Sequence, residues 1–383
     1  MPAAGAHARG IETLDPAIQL LLMLARRTPD PAAADEATEL IRSGVDWDFF
    51  MSQARRHKVA GLVFANLQRL GLLELDQYLY SNADMFRALY LYHRTRNQAL
   101  QDEAVAVLAR LQGEVPDVAL RKGLYLAQHV YRDLGLRPMA DMDLLMVRAD
   151  TKRAVGILED LGYQMGDTTS DSRRVIPLPR EKMAFWRLHV NNLPPVFRLT
   201  SEPTVLEFIV DISVGLFLPG SEFSVPTEEV LTRAVPVALG SIDALAPAPE
   251  DLVMDLCAHL YKEATTLRYL HRLKHQRLIQ YCDLREVLLA HGDAAFWRKF
   301  SDRVAAYSIR PVAYFALAHL EKLYPGTIPG HILEELGYGV RLGFLDEFGA
   351  LDLPKPGKWG ADFFDRTFAR DTAVDLPKSG SIV

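Results

Sequence analysis

The chain has only two cysteines in 383 residues, Cys257 and Cys282. Two thiols cannot build a disulfide framework or a four-cysteine zinc site, so neither organises the fold. An excess of positive charge is also missing: 43 Lys and Arg stand against 49 Asp and Glu, for a formal net charge of -6. That balance leaves no basic footprint and argues against nucleic acid as the main partner. No uninterrupted apolar run approaches a membrane span, and the first residues contain no signal-peptide core. A cytoplasmic protein with no membrane partner is the expectation. Internal repeats and low-complexity tracts are absent as well. What is present is ordinary globular composition, 49% apolar and 24% charged, in a chain long enough for two or three sizeable cores.

Helical periodicity dominates residues 15–112. Pro16 suits a first turn after Asp15, and an apolar helix follows over 17–26 until Pro29 and Pro31 break it. A short helix is expected over 35–43. Asp46 reads as the N-cap of one helix reaching Leu70, with His57 packed inside it, and a long helix runs over about 81–112. Alternating patterns follow, then helical ones again. The expected organisation is a flexible tail (1–14), an N-terminal helical domain (15–112), a small mixed β-sheet core (113–243), a C-terminal helical domain (244–350) and a second tail (351–383). The Pro/Ala-rich stretch 244–249 reads as the linker into the second helical domain. The fold class is α+β, predominantly helical.

The most informative stretch is 121–147, RKGLYLAQHVYRDLGLRPMADMDLLMV. Asp141 and Asp143 lie two apart at the head of an apolar run, so in a strand both carboxylates project from one face while Met142, Leu144 and Met146 face the other. Two adjacent carboxylates resist joint ionisation unless a cation lies between them. Hard oxygen ligands of this kind suit Mg²⁺ or Mn²⁺, which bind one or two carboxylates plus substrate phosphates. A third carboxylate comes from TVLEFIVDIS over 204–213, where Leu206, Phe208, Val210 and Ile212 form an apolar face and Glu207, Asp211 and Ser213 lie opposite. In a two-metal site such a residue completes one metal's shell and activates the attacking hydroxyl. Asp211 is the candidate, with Glu207 as its substitute.

Cationic groups near these acids are the expected phosphate contacts. Lys122 precedes a helix start, where anions are favoured, and Arg137 pairs with Asp141 or touches phosphate. Residues 167–184 read as a mobile loop, and 185–198 as a strand turning at 191–195, with Arg187 and His189 alternating towards the acceptor or triphosphate. The run from Arg268 to Arg277 reads either as a solvated basic face or as neutralisation for a triphosphate.

Taken together, residues 46–290 resemble the uncharacterised bacterial nucleotidyltransferases, a branch of the DNA polymerase β-like superfamily. The matching pieces are DWDFF near Asp46, RRHKVAGLVFANL around His57, RKG at Arg121–Gly123, LRPMADMDLLMV, LGY at 161–163, VDISVGLF from Val210 and CAHLYK around His259. The chain follows the family with Lys122 and Gly123, Gly123 being the helix-opening glycine. It departs at Ser213 and Val214, where histidine and tryptophan are common. The resemblance implies transfer of an NMP from an NTP, ATP by default, to an unidentified small-molecule, peptide or protein acceptor with release of pyrophosphate. Asp141 and Asp143 would hold the metals, and Asp211 the metal beside the acceptor. The altered Ser213–Val214 pair favours a different class, a catalytically degenerate protein that only binds a nucleotide or peptide.

Overall fold

The computed structural model describes residues 10–369 other than 31, 170, 172, 273 and 342, together with residue 376. The expected tails therefore fall partly outside the described residues, over 1–9 and most of 370–383. The architecture is α+β and mainly helical. Its strands are β1 (Ala119–Leu120), β2 (Met142–Leu145), β3 (Gln164–Met165), β4 (Asp167–Thr168), β5 (Val175–Ile176), β6 (Val196–Leu199), β7 (Glu207–Ser213), β8 (Val235–Leu239), β9 (Ile242–Ala246), β10 (Glu347–Phe348) and β11 (Gly357–Lys358). Seven of them form one mixed sheet in the order β3-β6-β7-β2-β1-β9-β8. β2 runs parallel to β7 and antiparallel to β1.

The helix Gln77–Leu111 ties the sheet to the rest of the chain. Asp76 caps it by accepting from the Tyr78 and Leu79 amides, one of the few ways to satisfy the free amides of a first turn. Its first half places Leu79 and Phe86 in the apolar core shared by the N-terminal and C-terminal helices. Its second half turns Leu100, Ala104, Val107, Leu108 and Leu111 onto the sheet, against Met142, Leu144, Val210 and Ile212. The apolar alternation of β2 and β7 is thus spent on this helix, which leaves their acidic face free.

Four local differences from the sequence reading affect the site. The helix expected from Asp46 to Leu70 is two helices, Trp47–Arg56 and Ala60–Arg69, broken at Lys58, whose φ is 59°. Residues 167–184 are not a loop: β4 and β5 form a hairpin, and a helix begins at Arg180. The expected strand at 185–189 is the end of that helix, Arg180–His189. Finally, the stretch read as a linker finishes β9, which pairs parallel with β1 before Pro249 opens the helix Pro249–Thr265.

Candidate active site

Two short strands set the central geometry. Pro138 cannot donate to a ladder, and the chain enters β2 only at Met142, immediately after Asp141. The parallel pairing of β2 and β7 then puts Asp143 directly beside Asp211, with Met142 beside Val210 and Leu144 beside Ile212. Neighbours in a parallel pair share the same face, so both acids project from it, and Asp141, two residues before Asp143, projects with them. All three line one cavity of about 350 Å³. Burial, reinforced by Asp143 and Asp211, pushes the Asp141 carboxyl up to about 7. Burial and then Asp143 likewise raise Asp211. Glu207, the substitute candidate, is not among the cavity's lining residues.

Asp211 is held by a chain of polar contacts that begins deep in the protein. The helix Pro249–Thr265 presents buried Asp255 to the buried guanidinium of Arg121. Arg121 also donates to Ser213 Oγ. Ser213 donates onward to Asn192 Oδ1 at 3.0 Å, and Asn192 Nδ2 donates to Asp211 Oδ1 at 2.5 Å. Asn192 is fixed in place because its segment docks on β7: the Leu193 amide bonds to Ile212 O and the Val214 amide to Asn191 O. Ser213, which stands where the family resemblance expects histidine, is therefore a fully buried relay to Asp211.

Positive charge surrounds the acids. Eight Lys and Arg side chains line the cavity against five Asp and Glu, in a protein whose overall charge is negative. Lys122 Nζ lies 3.6 Å from Asp143 and 3.4 Å from His259 Nδ1. Its backbone has φ 38°, a left-handed conformation unusual for lysine, directly before the helical turn that starts at Gly123. Gly123 lines the cavity too, and an added Cβ would meet Met139 Sδ at 3.4 Å. His259 is kept neutral: burial, then Lys122 and Lys262, push its pKa well below the ordinary value. Arg137 lines the cavity but pairs with Asp283 rather than Asp141, through two 2.8 Å bonds.

The remaining cations come from Lys58 at the helix break, Lys262, and a wall of Arg268, Arg272, Lys274 and Arg277. Four cations of the basic run therefore line the cavity with the acids, Arg272 remaining partly open to solvent, whereas His271 is exposed and His275 is buried against Trp359. Arg187 and His189 do not line this cavity. Both are exposed on the helix Arg180–His189, and that helix sends Trp186 to the cavity instead. His189 packs on Phe185, with ring centroids 5.1 Å apart. Lys58, Asn192 and Lys262 escaped the sequence reading. The only signal for Asn192 was the turn-forming pair Asn191–Asn192, and Lys58 carried none.

Among the described residues, no group of three or more His, Cys, Asp or Glu side chains forms a ready metal cage. The donor set nonetheless fits a hard divalent ion in kind. Magnesium is held by one or two carboxylates plus water and substrate phosphates rather than by a closed protein shell. Asp141 and Asp211, whose protons burial and neighbouring acids make hard to remove, are groups that such an ion would relieve.

A family model described as "Uncharacterised nucleotidyltransferase" matches residues 43–325, which include every residue lining the cavity. No curated protein matches the chain.

Proposed function

Because the chain belongs to the uncharacterised nucleotidyltransferase family, we propose that it is a metal-dependent transferase moving an NMP, AMP from ATP by default, to a small-molecule, peptide or protein acceptor. The polymerase β-like arrangement of the core is part of the same reading. The observation that carries it is the register of β2 and β7, which sets Asp143 beside Asp211 with Asp141 two residues upstream, facing a cationic wall.

Mg²⁺ or Mn²⁺ held by Asp141, Asp143 and Asp211 would supply charge neutralisation for the triphosphate and for the oxygen developing charge during transfer. The protein's own groups do the rest. Lys122 and the cations of the 268–277 segment bind the phosphates. Asn192 fixes the Asp211 carboxylate, which takes the proton of the acceptor hydroxyl. The freed oxygen bonds to the α-phosphorus as the bond from that phosphorus to the β-phosphate's bridging oxygen breaks, and pyrophosphate leaves. Preorganised charge and alignment provide most of the acceleration.

Calorimetry with ATP and Mg²⁺, followed by a pyrophosphate-release assay in lysate, tests this. Binding and release are expected, with release falling on the order of 10²–10³-fold in Asp143→Asn. Full turnover in that variant would refute the mechanism, and ADP as product would make the reaction phosphotransfer. A second reading, binding without transfer, draws on Lys122, whose ammonium already lies against Asp143. ATP binding with no pyrophosphate release would favour it.

A further inference from the structure

A second depression adjoins the cavity and has been given no role so far. It is a groove of about 520 Å³ between the helices Thr151–Asp160 and Arg180–His189. That volume falls within the range of about 300–1,000 Å³ usual for small-molecule sites. Trp186, Val190 and Asn192 line both groove and cavity, so the two spaces meet at the residue that holds Asp211. The basic 268–277 wall contributes nothing to the groove. Arg268 instead caps Trp186 from the cavity side, its guanidinium 5.6 Å from the ring centroid.

The groove has its own chemistry. Val155, Met165, Met183, Leu193 and Pro194 make an apolar floor, and Arg148, Lys152 and Arg187 stand on its rim. One acid, Glu159, offsets those three cations. Among the described residues, none of the three is paired with a carboxylate in the way that Arg121, Arg137 or Arg198 is. Unpaired cations beside an apolar floor match a ligand with an anionic head on an apolar body.

We propose that this groove is the acceptor subsite and that its occupant is a small organic acid. The carboxylate is held by Arg148, Lys152 and Arg187, the apolar body lies on the methionine floor, and the far end carries a hydroxyl or amine past Asn192 to Asp211. Arg187 then serves the acceptor alone, without touching the triphosphate. The role as an acceptor site rests on the transferase reading, whereas the preference for an organic acid rests only on the groove.

Octanoate, octanol and octylamine are suitable probes, titrated by calorimetry into the full-length chain with and without ATP and Mg²⁺. Octanoate is expected to bind at least about tenfold more tightly than either neutral or cationic analogue. The double variant Lys152→Glu/Arg187→Glu should lose about tenfold in octanoate affinity while its ATP affinity stays within about twofold. Both positions are exposed, so folding is preserved, and circular dichroism checks this. Octanoate binding no tighter than octylamine, or unchanged in the double variant, overturns the proposal. Octanoate binding to a chain that ignores ATP sinks the transferase reading alone and leaves the groove as an organic-acid site.

Discussion

A carboxyl that burial and neighbouring acids raise to about neutrality ties the protein's stability to pH. The pKa of Asp141 stands at about 7 in the folded chain against 3.8 when free. The folded state therefore binds the proton more tightly than the unfolded one between those values, so this group's contribution to stability falls as pH rises from about 4 to about 7. Asp211, also raised, works in the same direction. Asp141→Asn should consequently raise the melting temperature of the metal-free protein above pH 7 while leaving it nearly unchanged at pH 4, as a thermal scan across pH would show. Added Mg²⁺ should stabilise the wild type more at pH 7.5 than at pH 5. The opposite demand applies at Asp255, whose removal would strand the buried Arg121 charge. Asp255→Ala should cost about 3–5 kcal/mol in chemical denaturation, the usual penalty for breaking a buried ion pair. At this scale much was readable in advance. The two-residue spacing of Asp141 and Asp143 and the alternation around Asp211 fixed which side chains share a face. Their neighbours were not readable, because Asn192 and Arg121 reach Asp211 through contacts between segments far apart in the chain.

Elements were legible where periodicity was long and failed where a turn lacked its customary residues. The helix Gln77–Leu111 and the crossover helix Thr151–Asp160 lie close to their expected positions. The break at Lys58 has no glycine or proline at the corner itself, where the sequence is RRHKVA, and Gly61 already lies inside the second helix. His57 holds the corner: its Nδ1 accepts from the Leu278 amide and its carbonyl from the Ile279 amide, so the partner helix enforces the left-handed residue. Lys58→Gly removes the strain of a side chain at positive φ and should stabilise the fold by up to about 1 kcal/mol relative to Lys58→Ala. Both variants should bind ATP more weakly than the wild type, which calorimetry would read. The segment Arg180–His189 misled for a related reason. Its LHV run alternates like a strand, but the structure extends the helix through it to His189.

At the scale of the whole molecule, the basic wall depends on residues beyond the family-matched region. The segment 343–369 braces it: the Gly349 amide bonds to Thr265 O, Asp352 accepts from the Leu267 amide, and Trp359 stacks on His275 with centroids 6.0 Å apart. Trp359→Ala should loosen this brace, seen as faster proteolysis at Arg268, Arg272 or Arg277 and weaker ATP binding, with the sheet core still folded. Composition foretold neither this brace nor the sheet order, because both arise from pairings between segments distant in the chain. The helix Gln77–Leu111 carries a final implication. It is a rod of 35 residues with no glycine or proline inside it, its two halves embedded in different cores. Such a beam, about 52 Å long at 1.5 Å per residue, offers no pivot. A clamshell closure between the two cores would have to bend this rod, which contains no glycine or proline to serve as its hinge.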